Sequence, residues 1–269
     1  MIETTSSTIQ VNTWEECEAA IQRLQGELSS SRWDEFWFRG ESNAAWSMQT
    51  SLERRVGQTI SVSDYLRLIH VIKPMIETYT GSTWEMPSLP EIEEGALQFD
   101  LFHNFFFSAA TYLAHLRHNG FPSPLLDWTH SPYVAAYFAF HHAIPDRKVA
   151  LYAYRERPNR IKTGGSGEPV IFSLGPNIRT HRRHFRQQSR YTICAQFNAP
   201  RGWHFAPHEN VFRQQGRVAD FLCKIVVPGS ERVKVLKHLD QFNLNEYTLF
   251  DSEEGLMEML AMREFDLRR

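Results

Sequence analysis

Apolar residues recur at three- and four-residue spacing in several stretches of the chain, and this spacing predicts amphipathic helices. The first helix is expected to begin at Thr13, since Thr13 and Glu16 have the form of a capping box, and to end near residue 28. Two more are expected over residues 63–79 and 91–118. Ser131 and Pro132 then supply an N-cap and a first-turn proline for a helix to about residue 143.

The second half of the chain changes to short β-type runs separated by polar loops. These runs cover residues 150–154, 170–172, 191–194 and 221–227, and helices are expected after them over residues 230–242 and 252–265. With an early aromatic strand at residues 36–38, the order indicates a single α+β domain. We expect a small mixed or antiparallel sheet, helices inserted early, and an N-terminal helical extension over residues 1–34.

Apolar content, net charge and cysteine number indicate which broad class of protein this chain belongs to. The apolar content of 42% is ample for a core, and the net charge of -2 provides no overall attraction to nucleic acid or membrane. Three cysteines far apart in the chain are typical of a reducing compartment. Since the first ten residues lack an apolar signal region and no apolar run could span a bilayer, we expect a cytoplasmic protein without membrane contact.

Arg39 is the first candidate for chemistry, because it ends the aromatic strand and Gly40 follows it directly. An arginine at this place can point into a cleft, and Gly40 allows a sharp turn or the close approach of a ligand. The alternative is a surface arginine in a turn at the end of the strand.

A second candidate is the segment of residues 125–132, which leads into an apolar helix. It would place Asp127, His130 and the hydroxyl groups of Thr129 and Ser131 beside the amino end of that helix, where a phosphate is favoured. Alternatively, Asp127 and Ser131 only cap the helix while Trp128 packs beneath it.

A third candidate is the basic stretch Arg179–Arg190, with five arginines and two histidines in a chain that is slightly acidic overall. Arginine binds phosphate through paired donors, so nucleotide or nucleic acid is a candidate partner here. A solvated loop surface is the alternative. No metal is expected, since Pro207 separates the pair His204 and His208, and sequence motifs for P-loops, hydrolase elbows and dinucleotide folds are absent.

The first two segments together resemble the FRG domain family, which is known by a Phe-Arg-Gly signature. The matching residues are Phe38-Arg39-Gly40, Trp46, Ser51-Leu52-Glu53-Arg54, and the block from Leu125 to Pro132 with its small and aromatic continuation. Residues 186–192, 224–228 and 249–251 are similar to later blocks of the family. The resemblance implies an FRG domain over residues 35–269. Two departures are Pro124 and Ser189, where the family usually has Arg and Gly.

The plan is more distantly similar to that of ADP-ribosyltransferases, so we suspect a core of that kind with NAD as substrate. By this resemblance Arg39 would hold the dinucleotide, Thr129 and Ser131 would support the pocket, and Gln188 would stand where those enzymes carry a catalytic glutamate. The resemblance also implies ligand contacts for the following residues: Gly40, Glu41, Asp127, Trp128, His130, Tyr133, Tyr137, Arg183, Arg186 and Gln187.

An amide at residue 188 cannot stabilise a developing cation as a carboxylate does. Three possibilities follow: a pocket that only binds, a weak or substrate-assisted transfer, or a carboxylate supplied by Asp127, Glu41 or Glu209. Our leading hypothesis is an FRG-family bacterial effector of a toxin or antiphage system with an NAD pocket, acting on an acceptor or with an antitoxin partner. The alternative is a non-enzymatic module whose basic stretch Arg179–Arg190 binds nucleic acid or protein.

Overall fold

The computed structural model describes residues 6–28, 35–58, 60–96, 102–156, 167–174, 178, 180–199, 201–212 and 220–268. Strands β1–β8 are Ser6–Gln10, Phe36–Glu41, Leu126–Thr129, Lys148–Arg155, Pro169–Leu174, Ser189–Asn198, Gly202–Phe205 and Phe221–Pro228. Helices α1–α11 are Trp14–Leu28, Ser51–Val56, Val62–Thr80, Leu89–Ala96, Phe102–His118, Pro132–His141, Arg182–Arg186, Glu209–Phe212, Arg232–Gln241, Glu246–Phe250 and Glu253–Ala261. A short 3-10 turn, Gly229–Glu231, precedes α9, and a π-helical segment, Met262–Asp266, follows α11.

The strands within these ranges form one mixed sheet of eight, in the order β1-β8-β4-β2-β3-β6-β5, with β7 paired to β6. The pairing of β1 with β8 is parallel, and the other strand pairs are antiparallel. Helices and a mixed sheet in one unit confirm the predicted α+β class. Strand β1, which sequence patterning missed, places the chain before α1 at an edge of the same sheet.

Two apolar clusters cover one face of the sheet side by side. The first joins α1, α6 and α9 to alternate residues of β4 and β8, and the second joins α3 and α5 to β6 and β7. A third cluster, around Trp128, Tyr152 and Tyr154, lies on the opposite face. The first two clusters meet near β2 and β3, where Asp127 and Thr129 of β3 share their sheet face with Phe38 of β2.

Most predicted helices are confirmed. Ser131 caps α6, its hydroxyl accepting from Val134 N at 3.3 Å, and Pro132 opens the helix as expected. Thr13 accepts from Glu16 N at 3.2 Å at the start of α1. The stretch predicted as one helix over residues 91–118 is described as α4 and α5, and residues 97–101 lie outside the described ranges.

Candidate functional site

The sheet opens between β2 and β3. Strand β2 pairs with β4 along its full length from Phe36 to Glu41, whereas the described pairing of β2 with β3 is confined to Phe38 and Thr129. Beyond that pair the two strands part, and Arg39 bridges them by donating from Nη1 to the carbonyl oxygen of Asp127 at 3.0 Å. The Arg39 side chain thus supplies a hydrogen bond to the main chain of β3 at a point where β2 and β3 do not pair.

Arg39 does not end its strand, because β2 continues through Gly40 to Glu41. The expected turn at Gly40 is therefore wrong. A Cβ atom built on Gly40 would lie 2.0 Å from the carbonyl oxygen of Ala135 and 2.6 Å from Ala139 N. Gly40 is needed because α6 passes directly over β2, and this contact sets the position of one cavity wall.

Two arginine–carboxylate pairs flank the opening. Arg39 donates from Nε to Glu41 Oε1 at 3.0 Å and also from Nη2 to the same oxygen. Arg117 donates from Nε to Asp127 Oδ2 at 2.8 Å, and again from Nη2 to that oxygen. Each arginine thus meets a single oxygen of its partner, and neither uses Glu41 Oε2 or Asp127 Oδ1.

The arginines keep Asp127 ionised. Burial by itself would raise the pKa of the Asp127 carboxyl, but the charge and hydrogen bonds of Arg117, with a contribution from Arg39, hold that pKa below its usual value. The same pairing raises the pKa of Arg117. Both partners are only partly exposed, at 21% for the Arg117 side chain and 34% for that of Asp127.

A cavity of about 420 Å³ lies at this opening, within the range of small-molecule sites. Its described wall includes three arginines, two carboxylates, a histidine and two phenylalanines: Arg39, Arg117, Arg183, Glu41, Asp127, His118, Phe138 and Phe250. The remaining described lining residues are Phe38, Gly40, Ser42, Gly120, Trp128, Thr129, Ala135, Gln187 and Ser189. The charges sum to a cationic cavity with aromatic surfaces, which suits an anion that carries a planar ring.

A hydrogen-bonded chain runs from this cavity into the core. His118 Nε2 and the Tyr191 hydroxyl lie 2.8 Å apart, and that hydroxyl lies 3.0 Å from Nδ1 of the buried His184. Burial lowers the pKa of His118 and, with the nearby charges of His118 and Arg190, lowers that of His184 to about 4. Both imidazoles are therefore neutral near pH 7 and exchange hydrogen bonds with Tyr191.

This burial predicts a pH-dependent stability. An unfolded histidine titrates near pH 6.5, while His184 and the buried His141 have folded pKa values of about 4. Between these values the unfolded state binds more protons, so stability is expected to fall from about pH 6.5 to about pH 4, by roughly 3 kcal/mol for each histidine. Urea unfolding of wild type and His184→Asn at several pH values measures this. The variant should lose less stability across that interval, and equal losses would contradict the assignment.

The basic stretch is largely used for contacts inside the protein. Arg183 donates from Nε to the Phe250 carbonyl oxygen at 3.1 Å, and its guanidinium lies 5.3 Å from the centre of the Phe250 ring. Arg186 donates to the Thr248 carbonyl oxygen at 3.1 Å and pairs with Asp251 at 3.0 Å. These cations face the carboxyl end of α10, where helix carbonyl groups favour positive charge. Arg179 lies outside the described residues.

The cavity collects eight of the predicted site residues: Arg39, Gly40, Glu41, Asp127, Trp128, Thr129, Arg183 and Gln187. It does not include six others: His130, Ser131, Tyr133, Tyr137, Arg186 and Gln188. The Ser131 hydroxyl caps α6, and Thr129 Oγ1 donates to the Gln187 carbonyl oxygen at 2.6 Å. The two predicted hydroxyls thus shape the backbone around the cavity.

The structure distinguishes the two neighbouring glutamines. Gln188 has a positive φ of 49° and is exposed, while Gln187 lines the cavity and donates from Nε2 to the Leu249 carbonyl oxygen at 3.3 Å. The left-handed conformation at residue 188 turns the chain from α7 into β6 and directs the two side chains apart. Gln187, and not Gln188, is therefore the amide at the cavity.

Two aromatic candidates lie away from the cavity, and a third, Trp128, lines it but packs its side chain mainly elsewhere. Tyr137 is buried, and its hydroxyl donates to Glu246 and lies 2.9 Å from His141 Nδ1, in the cluster beneath α6. Tyr133 packs against Trp14 of α1. The Trp128 side chain is buried in the cluster on the opposite sheet face, where Nε1 donates to Thr192 Oγ1 at 2.8 Å. The Trp128 side chain therefore packs on the sheet face opposite α6, and not beneath that helix as the alternative expected.

His130 lies apart from the cavity as well, with Nδ1 3.4 Å from Glu35 Oε2. Glu209, considered as a source of a carboxylate, accepts from Met48 N at 2.8 Å and is not among the cavity residues. Sequence patterning missed Arg117, His118, Phe138, Ser189 and Phe250. One feature of the sequence points to Arg117 and His118 as site residues. They lie at the end of a predicted helix, just before the block at residues 125–132.

The described residues contain no group of three or more His, Cys, Asp or Glu side chains placed to hold a metal ion. Within the same ranges, no helix has the length and apolar character needed to cross a lipid bilayer.

Comparison with known proteins identifies one family. The family model described as FRG domain matches residues 34–148, which confirms the resemblance over that part of the chain. No curated protein and no solved structure matches. The matched range includes Arg39, Glu41, Arg117 and Asp127, so both arginine–carboxylate pairs lie inside it. The wall formed by α7 and α10 lies outside it.

Proposed function

Residues 34–148 carry an FRG domain, and we propose that the cavity at its centre binds NAD and breaks the bond between nicotinamide and ribose. The observation that carries this proposal is the pairing of Arg39 with Glu41, in which both Arg39 donors meet Oε1 and neither uses Oε2, on a glutamate that lines the cavity. A carboxylate oxygen placed in this way can accept a ribose hydroxyl and face the cation that develops at the anomeric carbon.

The other lining groups suit the rest of a dinucleotide. Arg39, Arg117 and Arg183 bring three guanidinium groups to the wall, and such groups bind phosphate oxygens through paired hydrogen bonds. Phe138 and Phe250 supply aromatic surfaces for a planar base or for nicotinamide. The volume of about 420 Å³ holds a large part of such a ligand.

The proposed reaction needs no group beyond NAD and an acceptor hydroxyl or water. The bond between C1′ and the nicotinamide nitrogen breaks, and its electron pair leaves with neutral nicotinamide. An acceptor oxygen forms the new bond to C1′, and its proton passes to a carboxylate or to solvent. In this proposal Glu41 supplies the carboxylate that the resemblance places at residue 188, where the chain has glutamine.

The cellular role follows as part of the same proposal. An enzyme that consumes NAD or modifies a host component suits a cytoplasmic bacterial effector in a toxin or antiphage system. Cys17, Cys194 and Cys223 are buried and are not joined in disulfides, which is consistent with a reducing compartment. An acceptor and a neutralising partner would then be further components of that system.

Nicotinamide release from NAD tests the proposal, with wild type compared with Glu41→Gln. The substitution keeps the shape of the side chain but removes the charge that faces the developing cation, so we expect release to fall about 100-fold or more. NAD should still raise the melting temperature of the variant, since the three arginines remain. Glu15→Gln, at a side chain that is 62% exposed, is the matched control and should release nicotinamide like wild type. Equal release by Glu41→Gln would exclude Glu41 from the reaction.

A second candidate function is binding without catalysis. Both cavity carboxylates are paired with arginine, which favours a site that recognises a nucleotide and leaves it intact. An NAD-induced thermal shift without nicotinamide release would support this candidate. In the alternative that relies on the basic stretch, two of the cations are already engaged within the protein, because Arg183 and Arg186 donate to carbonyl groups of α10.

A further inference from the structure

A second concave surface lies at the sheet edge formed by β1, β8 and β4, on the face away from α1 and α9. It has a volume of about 550 Å³, and its described lining is Thr8, Gln10, Asn43, Ala44, Ala45, Arg147, Lys148, Lys224 and Val226. We name this surface the edge groove. Three of these residues are cationic, and the described lining contains no carboxylate.

Cross-strand register shows that these residues share one sheet face. Thr8 is opposite Lys224 and Gln10 is opposite Val226, whereas Ile225 and Val227 point into the apolar cluster on the other face. The row of Lys224 continues through Tyr152 to Arg39. With about 4.8 Å between neighbouring strands, Lys224 lies roughly 10 Å from Arg39, so positive charge extends from the edge groove toward the cavity.

The loop after β2 forms one side of the edge groove and is held in place. Ala44 N donates to the Lys148 carbonyl oxygen, and Lys224 Nζ donates to the Ala44 carbonyl oxygen, both at 2.7 Å. Lys224 also lies 5.3 Å from the centre of the Tyr152 ring. On the same loop, directly after Ala45, Trp46 is 54% exposed although it is a large apolar side chain.

Arg147 and Lys148 are exposed, and neither forms an ion pair with a described acidic residue. Lys148 Nζ donates only to the neutral Gln10 side chain, at 3.1 Å. Cations that no carboxylate neutralises, beside an exposed tryptophan, form the combination that binds a phosphate backbone and stacks an unpaired base. A duplex would satisfy the cations but offers no free base to Trp46.

We propose that the edge groove binds single-stranded nucleic acid, with Arg147, Lys148 and Lys224 on the backbone and Trp46 stacked on a base. The edge groove shares no residue with the basic stretch for which nucleic acid was considered, and its binding of a strand does not require that the cavity bind NAD. The shared chemistry of DNA and RNA strands is sufficient for the contacts above, so the test includes both.

Fluorescence anisotropy of labelled oligonucleotides about 12 nucleotides long measures the binding, at several salt concentrations from about 50 mM upward. We expect Arg147→Glu/Lys148→Glu to weaken binding at least about 10-fold and to reduce the salt slope by about 1.4, since two phosphate contacts are lost. Trp46→Ala should weaken binding about 10-fold without changing the salt slope. Single-stranded DNA and RNA are titrated separately, and the tighter of the two identifies the natural partner.

Arg23→Glu/Arg268→Glu is the matched control, because it changes the net charge equally at exposed sites away from the edge groove. It should bind like wild type. Three results would overturn the proposal: no binding of either strand at low salt, unchanged binding by the Arg147/Lys148 variant, or equally tight binding of a duplex or of polyglutamate. An NAD-induced thermal shift, measured on the Arg147/Lys148 variant in parallel, separates this outcome from that of the cavity.

Discussion

Gly40→Ala is expected to destabilise the protein by about 3 kcal/mol or more, a large part of the stability of an ordinary domain. The added methyl group would lie 2.0 Å from the Ala135 carbonyl oxygen and 2.6 Å from Ala139 N. Both atoms belong to the backbone of α6, so no side-chain rotation relieves the contact. Either α6 or β2 must move, and the cavity wall formed by Ala135 and Phe138 moves with the helix.

Urea unfolding followed by circular dichroism measures this effect. Gly26→Ala is the matched control, because a methyl group on Gly26 of α1 meets no atom within 4 Å. That variant should gain about 0.5–1 kcal/mol, since alanine favours a helix over glycine. If Gly40→Ala were as stable as wild type, the close approach of α6 to β2 would be excluded.

Arg39→Ala is expected to abolish NAD binding and to lower stability by about 3 kcal/mol. The substitution removes the bridge from β2 to the Asp127 carbonyl oxygen, and it leaves the Glu41 carboxylate without its partner. Both side chains are only 13% exposed, so water screens the orphaned charge poorly. Thermal unfolding with and without NAD measures the two effects together.

A double variant separates the structural effect from the loss of the ligand. Arg39→Ala/Glu41→Gln carries no orphaned charge, so it should regain part of the stability while NAD still fails to raise the melting temperature. Arg39→Lys keeps the charge but has no guanidinium fork to join Glu41 and Asp127, and we expect intermediate stability. If Arg39→Ala bound NAD as wild type does, the cavity would not be the nucleotide site.

Sequence patterns predicted an element correctly where neighbouring residues by themselves indicate a helix or a strand. Ser131 and Pro132 predicted the start of α6, and the aromatic run at residues 36–38 predicted β2. Strand β3 escaped prediction because its four residues are too short for alternation to stand out, and it is a strand only through its pairing with β2 and β6.

The residues of the candidate site likewise include some that the sequence predicted and some that it did not. Arg39, Glu41 and Asp127 were predicted from the sequence, but Arg117, the partner of Asp127, was not, because nothing local distinguishes it from a surface arginine of a helix. The basic stretch is ambiguous for a related reason. A run of arginines has the same sequence whether it faces solvent or, as with Arg183 and Arg186, the carbonyl groups of α10.

The amino-acid sequence by itself determined the α+β class, most of the helices and the FRG resemblance, because periodicity, capping residues and short motifs are properties of neighbouring residues. Only the tertiary structure decided that β2 and β3 part beyond Phe38, that Gln187 rather than Gln188 lines the cavity, and that Glu41 pairs with Arg39 at its wall. These features depend on strand register, on one positive φ angle and on the contact of α6 with β2, which residues far apart in the chain establish together.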